Sequence, residues 1–177
     1  RIWLNGWDVM QRWEKIVWRN DPIAPIQTRQ TEYFDGDDEL VKTRYAVTER
    51  DGRGRVLVQD FSLFAPDNSQ LQRTYERWFY IDQRPARVER IHFDESDEIT
   101  SKVEVTRVYG RRGRLDELRT RTTGAEEELL STSVESRTYD DSGKLVERTI
   151  VDANSQGVEI RRYTETTTYD ANGHLKA

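Results

Sequence analysis

The stretch YDDSGKL, residues 139–145, decides the fold, because it describes the end of one strand, a turn and the start of the next. Asp, Ser and Gly are typical turn residues, and Gly supplies the positive φ that tight turns need. The form Tyr-Asp-x-x-Gly-x-Leu recurs at 169–175, and the stretch at 109–115 matches it except for the Asp. Looser copies with the same offset lie at 34–40, 50–56, 93–99 and 123–129, and longer candidates at 64–71, 80–88 and 151–158.

The spacing of aromatic residues indicates a repeat of about 30 residues. One series is spaced 29, 30 and 30 residues apart, and a second, half a period away, is spaced 30 and 29 apart. The first series is Tyr80, Tyr109, Tyr139 and Tyr169, and the second is Phe34, Phe64 and Phe93. Self-similarity at 20–50 residues is typical of repeat architectures. Coincidental hairpins are the alternative, but two matched series favour one hairpin per period.

The runs between the turns alternate as strands do. In LVKTRYAVTER, residues 40–50, Val41, Thr43, Tyr45 and Val47 fall on one face, and Lys42, Arg44 and Thr48 fall on the other. Strands joined by tight turns pair antiparallel. The sequence therefore predicts a mainly β protein: an antiparallel meander of about nine or ten strands, twisted or curled toward an open barrel.

The sequence predicts a thin core. Hydrophobic residues make up 34% of the chain and charged residues another 34%, so several strands are polar on both faces and part of the sheet is a single layer. The thicker part of the core is expected near five apolar residues, Phe61, Leu63, Trp78, Phe79 and Ile81.

Residues 1–30 differ in kind from the repeat sheet at 31–177. Asn5 is a candidate N-cap and Pro22 follows the last apolar position, which predicts a helix over 6–19 and then an extended linker. The helix would lie over one face of the sheet or close one end. The alternative is a hairpin with Asn5-Gly6 as its turn.

Tryptophan is concentrated in this first segment, which holds four of the five in the chain. Large aromatic residues of this kind anchor an element to a sheet that is poor in apolar residues, or they form a ligand or partner surface. The structural role is favoured. The candidate surface residues are Trp3, Trp7, Trp13 and Trp18, with Trp78 in the sheet region.

Charge and composition narrow the function classes. The net charge of −5 comes from 28 basic and 33 acidic residues interspersed along the chain, which argues against nucleic acid as a main partner. No apolar run is long enough to span a bilayer. There is no Cys, so disulfides and thiolate chemistry are excluded. The chain starts at Arg1 rather than Met, which a removed export signal or simple trimming would explain.

Catalytic and metal-binding signatures are absent from the sequence. His92 and His174 lie in separate repeats, away from any nucleophile motif, and no phosphate-binding or zinc-binding motif occurs. The acidic runs DGDDE at 35–39 and DESDE at 94–98 lack the residue order of a calcium loop, so they are interpreted as solvated turn acids. We expect no enzyme activity, no cofactor and no metal.

Residues 139–145 and 169–175 resemble the YD repeat of bacterial RHS proteins, and 109–115 is a partial match. With the looser copies the resemblance covers about residues 33–177. It implies a spiralling β-sheet of hairpins and an exported bacterial protein. These 177 residues depart from the RHS pattern, because they hold too few repeats to close a shell and no C-terminal effector domain is expected within them.

Two classes of function follow. The first is a non-catalytic, exported (periplasmic, extracellular or cell-envelope) β-repeat module that acts as an interaction or scaffold protein with an unknown protein partner. The second is a carrier of a small apolar molecule or lipid, in which a curled sheet and a helical lid enclose the ligand.

Overall fold

The structure, a computed structural model, describes residues 14–20, 26–35, 37–170 and 174–175. In these residues eleven strands follow one another across a single sheet in sequence order. The prediction of a mainly β, antiparallel meander is confirmed, whereas its curl toward a barrel stays a prediction. The strands are β1 Glu14–Asn20, β2 Ile26–Phe34, β3 Leu40–Arg50, β4 Val56–Phe64, β5 Gln70–Ile81, β6 Arg84–Phe93, β7 Ile99–Tyr109, β8 Leu115–Gly124, β9 Leu129–Tyr139, β10 Leu145–Asn154 and β11 Glu159–Thr166.

The contacts within the chain divide it into two compact units. One consists of Arg1–Trp78 with Arg90–Ser101, and the other of Phe79–Glu89 with Lys102–Ala177. The predicted boundary near residue 30 stays a prediction, because most of residues 1–25 lie outside the described residues.

The helix predicted over 6–19 is wrong in its second half. Residues 6–13 lie outside the described residues, as does the alternative hairpin at Asn5-Gly6, but Glu14–Asn20 is the strand β1. It pairs antiparallel with β2 from Glu14↔Tyr33 to Asn20↔Gln27. Ladder hydrogen bonds with a neighbouring strand outweigh the weak helix propensity of this segment, which includes the β-branched pair Ile16 and Val17. Ile26 and Gln27, expected in the linker, begin β2.

One turn geometry recurs along the sheet. In the turn at 140–144 the amide of Asp140 donates to the carbonyl of Lys144, and the amide of Gly143 donates to the carbonyl of Asp140, each at 2.9 Å. The Asp140 carboxylate also accepts a hydrogen bond from the backbone amide of Lys144 at 2.8 Å. The fourth turn residue has positive φ, which is the type I turn with a left-handed bulge residue that joins three-residue hairpins. Eight turns share a positive φ at this position, at Asp38, Gly54, Asn68, Asp97, Gly113, Glu127, Gly143 and Gly157.

The longer turns predicted from the sequence are wrong in length. The turns at 65–69 and 154–158 have the same pair of backbone hydrogen bonds as the others. The strands therefore resume at Gln70 and Glu159, one polar residue away from the positions expected from apolar residues alone. The third, between β5 and β6, is a two-residue turn in which Asp82 and Gln83 have φ of 47° and 69°.

Apolar side chains are scarcely buried in the described residues. Val88, at 3% exposure, is the only buried apolar residue there, and the other buried side chains are polar: Thr31, Thr43, Thr48, Glu76, Thr123 and Glu135. The expected thicker core near Phe61, Leu63, Trp78, Phe79 and Ile81 is not formed: the first four are half-buried and Ile81 is 67% exposed. These apolar side chains therefore remain partly accessible to water among the described residues.

A tyrosine contact links successive turns in the second unit. Tyr109, Tyr139 and Tyr169 each donate a hydrogen bond from the hydroxyl to a backbone carbonyl, and a cation lies over each of their rings. The acceptor lies 24 residues earlier in the chain in all three cases. The sets are Tyr109 with Pro85 O and Arg84, Tyr139 with Leu115 O and Arg114, and Tyr169 with Leu145 O and Lys144.

The tyrosine hydroxyl gives the first prediction. Tyr139→Phe removes the 2.8 Å hydrogen bond to Leu115 and leaves that carbonyl without its partner. We expect the free energy of unfolding to fall by about 0.5–1.5 kcal/mol, measured by urea denaturation. Tyr45→Phe is the matched control, because the Tyr45 hydroxyl makes no hydrogen bond with the described residues and its edge contact with Phe64 is retained. Equal losses in both variants would contradict the role of the hydroxyl.

The left-handed turn residue gives the second prediction. Gly157 has φ of 77°, and no atom lies within 4 Å of the position that a Cβ would take. Gly157→Ala therefore tests backbone strain alone, and we expect a loss of about 1–2 kcal/mol in thermal or urea unfolding. Gly52→Ala, equally uncrowded but outside the left-handed region, serves as the control and should change stability by less than about 0.5 kcal/mol.

Candidate functional site

The candidate site is a concave surface on one face of the first unit. Side chains alternate between the two faces along each strand, and the register aligns those of neighbouring strands on one face. Examples are the pairs Arg29↔Ala46, Ala46↔Phe61 and Phe61↔Thr74. Two adjoining depressions, of about 470 and 200 Å³, share Arg44 and Phe61 in their walls. The larger falls within the size range of ligand sites.

Positive charge dominates this surface, which is called the basic face below. Its walls include five cationic side chains and one carboxylate, although the whole chain carries a net charge of −5. The cations are Arg29, Lys42, Arg44, Arg50 and Arg90, and the carboxylate is Glu76. The acidic side chains of β2–β4, including Glu32, Glu49 and Asp60, alternate onto the opposite face.

Two of the cations are held in place by aromatic rings. The Arg44 guanidinium lies 4.6 Å from the centre of the Phe61 ring, and the Lys42 ammonium lies 5.1 Å from that of Tyr33. A cation over a ring is attracted to its face while its hydrogen-bond donors stay available. The rings therefore favour these positions of the two cations.

The single carboxylate of the basic face is already paired. Glu76 is 7% exposed, and its Oε1 accepts a hydrogen bond from Arg90 Nε at 2.6 Å. A buried carboxylate needs such a partner. Glu76 and Arg90 together are neutral, so Lys42 and Arg44 set the net charge of the larger depression.

His92 adds no positive charge to the basic face near neutral pH. Partial burial lowers its pKa, the positive charge of Arg90 lowers it further, and Glu76 opposes both effects. Its Nδ1 lies 3.2 Å from the Thr74 hydroxyl. His92 and Thr74 are therefore neutral hydrogen-bonding groups between the cations.

The tryptophans predicted as a ligand or partner surface stay a prediction. Trp3, Trp7 and Trp13 lie outside the described residues, and Trp18 has only its backbone placed, opposite Arg29 in the β1–β2 pairing. Trp78 is half-buried in β5, on the same face as Glu76 by alternation. The cations of the basic face were missed because their convergence depends on register. Only the alternation of Lys42 and Arg44 against Val41 was visible in the sequence.

The acidic turns and His174 form no metal-binding group within the described residues. The runs at 35–39 and 94–98 form turns, as predicted, and no group of three or more metal-binding side chains comes together within the described residues. His174 is exposed beside Asp170. No helix in the described part of the chain has the length and apolarity to cross a membrane.

The second unit contains a buried acidic side chain in a network whose positive and negative charges are equal in number. Glu135, 8% exposed, accepts hydrogen bonds from Arg137 at 2.6 Å and Arg148 at 2.9 Å, and Arg148 also approaches Glu165 at 3.9 Å. The hydrogen bond from Arg148 holds the pKa of Glu135 below its ordinary value, helped by Arg137 and opposed by burial. Two cations meet two acids here, so this network leaves no excess charge for a ligand.

Comparison with known proteins adds no assignment: no protein-family model matches the chain, and no curated protein matches it. The class that the fold itself defines is a meander of consecutive hairpins, with a basic face on its first unit.

The Glu135 network gives the third prediction. Because folding lowers its pKa, the carboxylate stabilises the fold above its ordinary pKa of 4.5, and the contribution is lost as the pH falls through the folded-state value. Glu135→Gln should lower the free energy of unfolding by about 1–2 kcal/mol at pH 7, at the low end for charged hydrogen bonds because both guanidiniums are partly solvated.

Urea denaturation from pH 7 to about pH 3 tests this contribution. The difference between wild type and Glu135→Gln should shrink as the pH falls. Glu165→Gln, half-exposed and only loosely paired, is the control and should change stability by less than about 0.5 kcal/mol. A difference that is constant with pH would show that the carboxylate charge is not responsible.

Proposed function

We propose that the chain is a non-catalytic β-repeat module of the YD (RHS) type, exported or part of the cell envelope, that acts as an interaction or scaffold protein. The Tyr-Asp-x-x-Gly-x-Leu turns and the hairpin meander support the repeat class. The one observation that carries the interaction role is the basic face, where five cations meet a single, already paired carboxylate on a chain of net charge −5.

The chemistry of the basic face favours an acidic protein segment as its partner. Arg44 presents a guanidinium that matches a carboxylate with two parallel hydrogen bonds. This protein already pairs guanidiniums with carboxylates in that way, since Arg73 contacts both carboxylate oxygens of Asp60 on the opposite face. The neutral Gln72, Thr74 and His92 side chains between the cations supply hydrogen bonds to a polar chain.

The alternative, a carrier of a small apolar molecule or lipid, has less support. An apolar ligand needs an apolar enclosure. Val88 is the only buried apolar side chain in the part of the chain that the structure describes. The larger depression is open rather than enclosed, and charged and amide side chains such as Lys42, Arg44 and Gln72 share its walls with Tyr33, Phe61 and Leu63.

Charge reversal on the basic face tests the interaction role and gives the fourth prediction. Fluorescence anisotropy of a labelled oligoglutamate peptide should show saturable binding to the wild-type chain that weakens as salt is added. Lys42→Glu with Arg44→Glu should weaken binding at least about tenfold, since two attractive pairs become repulsive.

The control double variant is Arg53→Glu with Arg121→Glu. Both side chains are exposed and neither lines the two depressions of the basic face, and the total charge change is the same. Circular dichroism establishes that both variants fold. Equal binding by the two variants would contradict the proposed surface, as would tighter binding of an oligodeoxynucleotide of the same charge.

A further inference from the structure

We propose that the acidic partner of the basic face is a second copy of this chain, which contributes the turns at one end of its own first unit. This inference rests on the proposed function and names its partner. The contact would join unlike surfaces, so each copy would offer both a basic face and a set of acidic turns.

The acidic turns are the connections at 35–39, 65–69 and 94–98. In a meander every second turn lies at the same end of the strands. Gln70 Nε2 reaches the carbonyl of Asp94 at 3.3 Å, and Arg73 pairs with Asp97 at 3.1 Å, which fixes the turn at 94–98 beside the turn at 65–69. The sequences DGDDE, APDNS and DESDE contain nine acidic residues and no Lys or Arg.

Several of these carboxylates are not used within the described residues. Asp35 and Asp94 accept amide hydrogen bonds of their own turns, and Asp97 pairs with Arg73. The exposed side chains of four others make no hydrogen bond or ion pair in the part of the chain that the structure describes. They are Asp37, Glu39, Glu95 and Glu98.

The acidic turns and the basic face belong to the same group of strands in each copy. Turns at one end of a meander are two strand spacings apart, about 10 Å, so the three acidic turns cover about 20 Å. The basic face extends from β2 to β6, which is four spacings or about 19 Å. The row of carboxylates and the cations of the basic face are opposite in charge, and the cations other than Arg90, which pairs with Glu76, lie on β2 and β3.

Geometry directs this pairing to a different molecule. The acidic turns end the strands, whereas the cations project from the face of the same strands, so a short turn cannot fold back onto them. Contact between unlike surfaces of identical chains is heterologous and adds copies in one direction. The acids also keep their turn hydrogen bonds, so binding requires no refolding.

Sedimentation velocity at low and high salt tests the inference and gives the fifth prediction. Wild-type chain should associate in about 10 mM salt and become monomeric in about 1 M salt, as the screening length falls from roughly 30 Å to 3 Å. Glu95→Lys with Glu98→Lys, and separately Lys42→Glu with Arg44→Glu, should each weaken association at least about tenfold.

Mixing these two double variants is the decisive experiment. Turns that carry lysine can then pair with a face that carries glutamate, so association should return. Glu126→Lys with Asp141→Lys, in the second unit, gives the same net charge as Glu95→Lys with Glu98→Lys and should associate like the wild type. Unequal effects of these two variants therefore reflect position and not total charge.

The outcomes separate this inference from the proposed function. A wild-type chain that is monomeric at every salt concentration, or association that the Glu126 and Asp141 variant weakens equally, overturns the second-copy partner. If oligoglutamate binding is still lost in the Lys42 and Arg44 variant, the basic face remains an interaction surface for another acidic protein. If oligoglutamate binding is also unaffected, both proposals are wrong.

Discussion

Antiparallel backbone pairing between consecutive strands is the constraint on which the rest of the structure depends. A sandwich or barrel stabilises its strands by burying one face, but only Val88 is a buried apolar residue in the described part of this chain. The ladders and the cross-strand side-chain pairs must therefore carry the stability, at about 0.2–1 kcal/mol per pair. Register matters more in such a sheet than in a packed one, because the turns rather than a core must set it.

The turns set the register between strands, and the tyrosine contacts between them explain the repeat of about 30 residues. Each five-residue turn adds one left-handed bulge residue. The hydroxyls of Tyr139 and Tyr169 each bond the carbonyl of the residue, Leu115 or Leu145, that begins the strand after the previous turn at the same end. Since that carbonyl lies one hairpin back, the tyrosine recurs once per two strands. The basic residue before the acceptor, Arg114 or Lys144, lies over the tyrosine ring. The x and Leu positions of one Gly-x-Leu fragment therefore contact the Tyr of the next copy of the motif.

Sequence reasoning succeeds here where information is local and fails where it depends on neighbours in space. Tyr139 to Leu145 is predicted correctly because Asp140 and Gly143 specify their own turn. The turn at 65–69 is misplaced because its strand resumes at the polar Gln70, which apolar patterning overlooks. The second half of the helix expected over 6–19 lies in strand β1 because pairing with β2, not local propensity, decides that segment. The basic face joins residues from five strands, β2 to β6, which no local pattern brings together.

The alternation of strands changes what interspersed charge means. The sequence places cations and acids side by side and suggests that neither sign forms a field, yet a period of two sends neighbours to opposite faces. Lys42 and Arg44 then meet Arg29 and Arg90 on one face of the first unit, while Glu32, Glu49 and Asp60 take the other. Other acidic residues of the first unit lie in the turns, where the carboxylates of Asp35 and Asp94 accept hydrogen bonds from backbone amides. In a sheet of alternating strands, mixed charge along the chain therefore becomes separated charge in space, and a net charge of −5 is compatible with a surface that attracts carboxylates.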